Sequence, residues 1–415
     1  MKILLIQSKG FINGAGGTEK VCTTLANHFV NNHKVFIACN ENKQGNAFFE
    51  LDYRIRLDNI YNPNIPYLKK KYIEKYKGNN LFQKIRYRIK RFAISIYNKL
   101  TCGFRSNDKI YEYNLKQQAR HWCKYINTIK PDLIVTMSIG SLLEISYCQE
   151  YDIPIINSTN GRPDYDFSDI LWYRSSQEMQ HLRQAYAKLD AIQILFDEYQ
   201  IYLPDTFKGF CRVIPNIVPQ VSDENTVFHK KAEHKKIIMV ARLDGGKSQN
   251  IAIDIFASLA KKYPNWTLHF WGDGEVEPML RKQITEYGLS ARIFLHGRTS
   301  EPLTKMKEGD IFIFPSQYEG FPLALTEAMS IGLPCLGFAY CSGVNELIKN
   351  GVNGFLAENK DEMAFQLEQL MQSFELRYKF GWQAHNDMKR YNKEIILEKW
   401  DKMIIDVMEK RSEKI

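Results

Sequence analysis

The chain has 415 residues, 44% hydrophobic and 25% charged, which fits two globular domains and excludes a disordered, fibrous or disulfide-stapled class. Its 8 cysteines are scattered and form no Cys-x-x-Cys pair, so reduced buried thiols are expected and structural zinc is not. The net charge of +9 is local, because residues 67–109 hold 13 Lys or Arg against two acids, Glu74 and Asp108, and the rest of the chain is slightly acidic.

The first residues hold a short apolar run of four, 3–6, below the length of a signal-peptide core. No later run approaches the roughly 20 residues of a membrane-spanning helix, so a cytoplasmic protein is expected. The run at 3–6 is of strand length, and a glycine-rich loop, Gly14-Ala-Gly-Gly-Thr-Glu, follows it. Gly16 and Gly17 would open a helix there, as phosphate-cradling loops do, but Glu19 stands where a dinucleotide fingerprint has its third glycine. Glu41 ends a second strand, 34–38, about where an oxidoreductase places its ribose-binding acid.

Within the basic region Phe82, Ile85, Ile89, Phe92 and Ile96 recur at steps of three and four, with Lys84, Arg86, Arg88, Lys90 and Arg91 between them. This predicts one basic amphipathic helix. Such a helix either packs on its own domain with a solvated cationic face or attaches to an anionic membrane surface; nucleic acid is disfavoured because no reader fold accompanies it.

Further strands are predicted at 133–136, 153–156 and 191–195, and the alternation with helical stretches pauses at a polar, proline-marked linker, 215–235. A second set of five strand and helix units then begins, with strands at 236–240, 267–271, 293–295, 311–314 and 334–338. Continuous apolar strands alternating with helices indicate parallel sheets covered on both faces. The expected architecture is α/β, with two doubly wound domains, 1–215 and 216–392, facing a cleft, and a final helix at 393–415. Three closing helices are predicted at 361–372, 375–391 and 393–410.

Chemistry concentrates in the second half. After the strand at 311–314 the chain reads Phe-Pro-Ser-Gln-Tyr-Glu-Gly-Phe-Pro-Leu, a strand, a tight turn and a helix start. Gly320 would let a ligand approach the backbone, and Pro322 would preset the first helical turn. The amides of Phe321, Leu323 and Ala324 would then lie at a helix amino end that attracts an anion. An acid beside a bound phosphate is repelled unless it reaches neutral hydroxyls, which a sugar supplies; Glu319 is placed for that, and Glu327, in the second turn, for a second diol such as a ribose. After the strand at 236–240, Arg242 and Lys247 straddle a glycine turn at the carboxyl end of a parallel strand, where open α/β sheets bind ligands. Their charge suits a diphosphate leaving group whose negative charge grows in the transition state. The Asp164-Tyr-Asp166 triplet has the form of a metal-binding Asp-x-Asp, but so short a pattern arises by chance in a chain of this length, and no metal is expected.

Together and in this order, these segments resemble the retaining glycosyltransferases of family 4, which implies a GT-B fold of two Rossmann-like domains, 1–215 binding the acceptor and 216–392 the nucleotide sugar, with the helix 393–415 crossing back to the first. The resemblance is strongest from 214 to 354, where Glu319 and Glu327 form a Glu-x7-Glu element. It implies that Glu319 contacts the donor sugar, Glu327 the ribose, and Arg242 and Lys247 the diphosphate, and that Gly17 packs against the phosphate. Gly272, Gly297 and Arg298 match more loosely, the last two near the nucleobase. Where many members place a His, the loop Ser158-Thr-Asn-Gly-Arg-Pro offers Asn160, which bonds a sugar but does not titrate. The mechanism implied lets the leaving phosphate take the acceptor proton. A metal-free sugar transfer from a uridine-based donor to a glycan or lipid-linked acceptor is therefore expected, with no cofactor. A sugar-nucleotide epimerase, an NAD-dependent oxidoreductase and a non-catalytic sugar-nucleotide binder are the alternatives.

Overall fold

The structure is a computed structural model that describes all residues except 77, 79, 149–151, 172, 232, 414 and 415, so the last two positions of the expected 393–415 helix lie outside the described residues. By contacts the chain divides into two compact units. One comprises 1–158, 166–192 and 204–210, and the other 159–165, 193–203 and 211–415.

The first sheet has seven strands: β1 (Lys2–Ile6), β2 (Lys34–Cys39), β3 (Arg56–Asn59), β4 (Leu133–Thr136), β5 (Ile155–Ser158), β6 (Ala191–Ile194) and β7 (Phe210–Val213). Their order is β3-β2-β1-β4-β5-β6-β7. The pairs from β3 to β5 are parallel, with Leu4 opposite Phe36 on one side and Ile134 on the other. Ile3, Leu4, Leu5 and Ile6 have no exposed surface, as a strand covered on both faces requires.

The second sheet has six strands: β8 (Lys235–Val240), β9 (Trp266–Trp271), β10 (Ile293–Leu295), β11 (Ile311–Phe314), β12 (Cys335–Phe338) and β13 (Gly354–Ala357). They run in the order β10-β9-β8-β11-β12-β13, every pair parallel. The strand order reverses between β8 and β11. Open α/β sheets bind ligands at this switch point.

The α/β reading with two doubly wound parallel sheets holds. Three strands were not foreseen: β3 and β7 are partly exposed edges with mixed sequences, Arg-Leu-Asp-Asn and Phe-Cys-Arg-Val, and β13 is a four-residue edge strand. The second half therefore has six strand units where five were expected. β5 begins two residues beyond the predicted 153–156, because Pro154 precedes it and has no N–H to pair. The closing helices, Lys360–Gln372, Phe374–Met388 and Lys393–Ser412, lie close to the expected positions. By contacts the last belongs to the second unit, where Asp406 bonds Arg212 at 2.8 Å. Of the 8 cysteines, 6 are buried and Cys148 and Cys211 are half-buried, all with free thiols.

Candidate active site

The loop leaving β8 is held by Asp244, whose Oδ1 accepts from the amides of Gly246 at 3.0 Å and Lys247 at 3.2 Å. This short capped turn places Ser248 in the left-handed region, at φ 54, and starts the helix Gln249–Ala260. Gln249 Nε2 donates to the Arg242 carbonyl at 2.7 Å and ties the two ends of the loop together. The Arg242 side chain is 82% exposed, with Nη2 3.0 Å from Asp244 Oδ2. Lys247 turns inward, and its Nζ donates to Glu319 Oε1 at 2.5 Å.

Glu319 lies on the loop leaving β11. Its side chain is 10% exposed and that of Lys247 22%, so this ion pair is largely withdrawn from water. The two loops also meet through backbone, since Gln317 N donates to the Gly246 carbonyl at 2.9 Å. The cation and the carboxylate singled out in sequence thus converge at the switch point. Glu327, in the helix Leu323–Ser330, is buried to 7% exposure and is therefore not a solvated surface acid.

Pro322 is the N-cap of that helix, with ψ 96, and not part of its first turn as expected. Its extended backbone keeps it outside the helix, so Leu323 and Ala324 contribute the leading amides. Phe321 is buried and stacks on Phe196, with ring centroids 5.5 Å apart. Gly320 is hemmed in by backbone, because a Cβ there would lie 2.2 Å from the Asn160 carbonyl oxygen and 2.5 Å from Gly161 Cα. The loop carrying Asn160 is thus in direct contact with the Glu319-Gly320 turn. Tyr199 fixes the same turn by donating to the Gly320 carbonyl at 2.9 Å, and Ser342 Oγ donates to the Tyr199 oxygen at 3.1 Å. Burial drives the Tyr199 hydroxyl far above the usual phenol range, so it remains a donor. Gly343 closes the other side at φ +79, where a Cβ would lie 2.4 Å from the Gly320 carbonyl oxygen.

Gly272 and Gly297 line the loops leaving β9 and β10, with the Gly272 amide donating to the Gly297 carbonyl at 2.8 Å. Gly272 sits at φ +148, and a Cβ there would lie 1.9 Å from the Ala241 carbonyl oxygen, so only glycine lets this loop press against the residue before Arg242. Gly297, at φ +77, precedes the exposed Arg298. Asp164 of the Asp-Tyr-Asp triplet pairs with Arg162 at 2.7 Å, and the Arg162 guanidinium lies 4.5 Å from the ring of Tyr165 and 4.3 Å from that of Tyr202.

Gly16 and Gly17 belong to the first unit, at the start of the helix Gly17–Phe29. Glu19 folds back into their loop, where a Cβ on Gly16 would lie 2.4 Å from its carboxylate, and it accepts from Gln7 Nε2 at 2.6 Å. Glu41 is buried and accepts from the Ile12 amide at 2.9 Å. The acid that an oxidoreductase would turn to a ribose is therefore engaged in holding the glycine loop.

Sequence reasoning missed Phe196, Tyr199, Ser342 and Gly343, which brace the Glu319-Gly320 turn. The aromatic pair sits in an apolar segment that reads as ordinary core, and only Gly343 carried a signal, a glycine beginning a helix.

The chain resembles known proteins in sequence and in fold. Residues 222–387 match the family described as Glycosyl transferases group 1. Through this segment the chain is similar to the group 1 glycosyl transferases. An uncharacterized glycosyltransferase of Haemophilus influenzae is 26% identical over 399 residues, covering 94% of this chain and 96% of that one. The poly(ribitol-phosphate) alpha-N-acetylglucosaminyltransferase of Staphylococcus aureus is 25% identical over 302 residues, covering 71% of this chain and 59% of that enzyme. Among solved structures, Anabaena HepE in complex with UDP-glucose superposes with a TM-score of 0.68 at 17% identity, covering 98% of this chain and 100% of that one. The fold is GT-B, and the chain is a glycosyltransferase.

Proposed function

We propose that the protein is a retaining, metal-independent glycosyltransferase of family 4 that moves a sugar from a UDP-linked donor to a hydroxyl of a surface glycan or lipid-linked saccharide. The observation that carries this reading is the meeting of Lys247 with Glu319 at the point where the strand order of the second sheet reverses. A diphosphate at the amino end of the helix Leu323–Ser330 would lie beside Lys247, with Arg242 free to swing onto it and Glu327 on the ribose. Gly272 and Gly297 shape the nucleobase end, and Arg298 borders it. The UDP-glucose bound by HepE and the polymer acceptor named for the Staphylococcus aureus enzyme support the donor and acceptor classes.

In the reaction the bond between the sugar C1 and the diphosphate oxygen breaks, and a bond from C1 to the acceptor oxygen forms on the same face. The acceptor proton passes to the departing phosphate oxygen, so no protein base is needed. Asn160 holds a sugar hydroxyl, Glu319 orients the sugar, and Lys247 and Arg242 offset the charge growing on the leaving group. Catalysis takes place on the cytoplasmic side, without a cofactor.

The test is product analysis. Purified protein, a panel of UDP-sugars and glycan acceptors are incubated with and without EDTA, and the anomeric configuration of the product is read by NMR. Retention in the presence of EDTA supports the proposal, and inversion or chelator-sensitive turnover rejects it. Epimer formation without acceptor, turnover that requires nicotinamide, or donor binding with neither transfer nor hydrolysis would each point to a different function.

A further inference from the structure

The basic helix Leu81–Cys102 rests on its own unit through a mixed seam and turns its apolar face away from it. At about 100° per residue, Phe82, Ile85, Ile89, Phe92, Ile96 and Leu100 fall within an arc of roughly 80°. Their exposures are 79, 49, 65, 69, 45 and 81%. On the opposite side Tyr87, Ile94 and Asn98 are half-buried and Cys102 is buried. Asn98 exchanges two hydrogen bonds of 2.8 Å with the backbone of Lys71, and the Tyr87 ring lies 6.3 Å from that of Tyr76. Folding therefore leaves a continuous stripe of six large apolar side chains in water, a patch larger than scattered surface hydrophobes produce.

The same helix carries 6 cations and no acid. On the helical wheel Arg86 and Lys90 border one long edge of the stripe, and Arg88 and Lys99 the other. All four side chains are exposed. Long cationic stems beside an apolar stripe can lay their methylenes along it and raise their charges to a layer of anions.

We propose that this stripe is a docking surface for an anionic lipid bilayer, with the helix lying in the plane of the interface. The charge pattern selects this partner. Two copies paired stripe to stripe would oppose cations along both edges with no acid to neutralise them, and a nucleic acid would take the cations but leave six apolar side chains facing water. A bilayer with anionic headgroups satisfies both parts at once, apolar side chains entering the acyl boundary and cations remaining among headgroups. Among the described residues no helix is long and apolar enough to cross a membrane, so the helix lies on the surface and does not span it. This inference does not depend on the donor-site reading.

The test is sedimentation of the full-length protein with vesicles of phosphatidylcholine alone or mixed with phosphatidylglycerol. The wild type should pellet with the mixed vesicles, release at high salt, and ignore the neutral ones. Replacing Lys84, Arg86, Arg88, Lys90 and Arg91 with Gln should weaken partitioning by about fivefold per charge removed. The triple variant Phe82→Ser, Ile89→Ser, Phe92→Ser should also abolish pelleting. Both variants should keep the wild-type melting temperature and turnover on a soluble acceptor, because the replaced side chains are exposed. Failure of the wild type to pellet, equal pelleting with neutral vesicles, or pelleting unaffected by the triple variant overturns the proposal. So does a wild-type dimer in analytical ultracentrifugation that the triple variant splits, since the stripe then belongs to a second copy.

Discussion

Lys247 Nζ lies 2.5 Å from Glu319 Oε1, across 72 positions of sequence, and this contact joins the loops leaving the two central strands of the second sheet. Each charge in this partly buried pair is largely withdrawn from water, so removing one strands the other.

Lys247→Ala and Glu319→Ala are each expected to lower kcat/KM at least about a hundredfold while circular dichroism shows the fold intact. Each single variant should also lose about 1 to 3 kcal/mol of stability, and the double variant less than the sum, because the second removal relieves the stranded charge. Urea unfolding of all four members of the cycle reads this coupling. Additive losses would show that the two side chains do not interact in solution.

Gly320→Ala puts a methyl group where the Asn160 carbonyl and Gly161 already stand, at 2.2 and 2.5 Å, and both obstacles are backbone. Overpacking of this kind costs about 1 to 3 kcal/mol and displaces the turn that carries Glu319. The expected result is a lower denaturation midpoint together with a fall in kcat. A variant of wild-type stability and rate would mean that the 159–165 loop moves aside freely.

Tyr199→Phe removes the hydroxyl that bonds the Gly320 carbonyl and accepts from Ser342. The ring and its packing remain, so the stability loss should be about 1 kcal/mol. Tyr199 acts through the turn and not on the substrate, so kcat should fall while KM for the donor stays nearly constant. A change confined to KM would place the hydroxyl in direct contact with the donor.

Glu346 titrates abnormally: burial and the neighbouring Glu198 carboxylate push its pKa up to about 7. The folded state therefore holds a proton that the unfolded chain releases near its ordinary carboxylate value. Stability from this group is full below that value and is lost as pH rises toward about 7. The difference in unfolding free energy between wild type and Glu346→Gln should follow that window, with the wild type losing ground as pH rises. A difference independent of pH would remove the carboxyl pair as its cause.

Much of the fold could be read from sequence because parallel strands covered on both faces must be continuously apolar, as Ile3–Ile6 and Ile311–Phe314 are. Edge strands escape that rule, and β3 and β7, half in water, carried Arg and Asp that broke the pattern. The spacing of Glu319 and Glu327 was legible because both lie in one short local stretch, a tight turn followed directly by a helix start. Pairing between Lys247 and Glu319 was not, since it depends on which strands become neighbours. The aromatic bracing of the turn by Phe196 and Tyr199 was hidden for another reason: buried aromatics in an apolar run look alike whether they support a site or a core. The basic helix was recognised by its period, but only the structure tells which face it presents to its own unit.

Calorimetric titration of UDP and of the preferred UDP-sugar into wild type, Lys247→Ala and Glu319→Ala tests the central claim most directly. Lys247→Ala should weaken both ligands alike by more than about tenfold, because it acts on the diphosphate they share. Glu319→Ala should leave UDP affinity near wild type and remove the extra affinity contributed by the sugar. Unchanged UDP binding to Lys247→Ala, or equal loss of both ligands in Glu319→Ala, would contradict the placement of the donor at this pair.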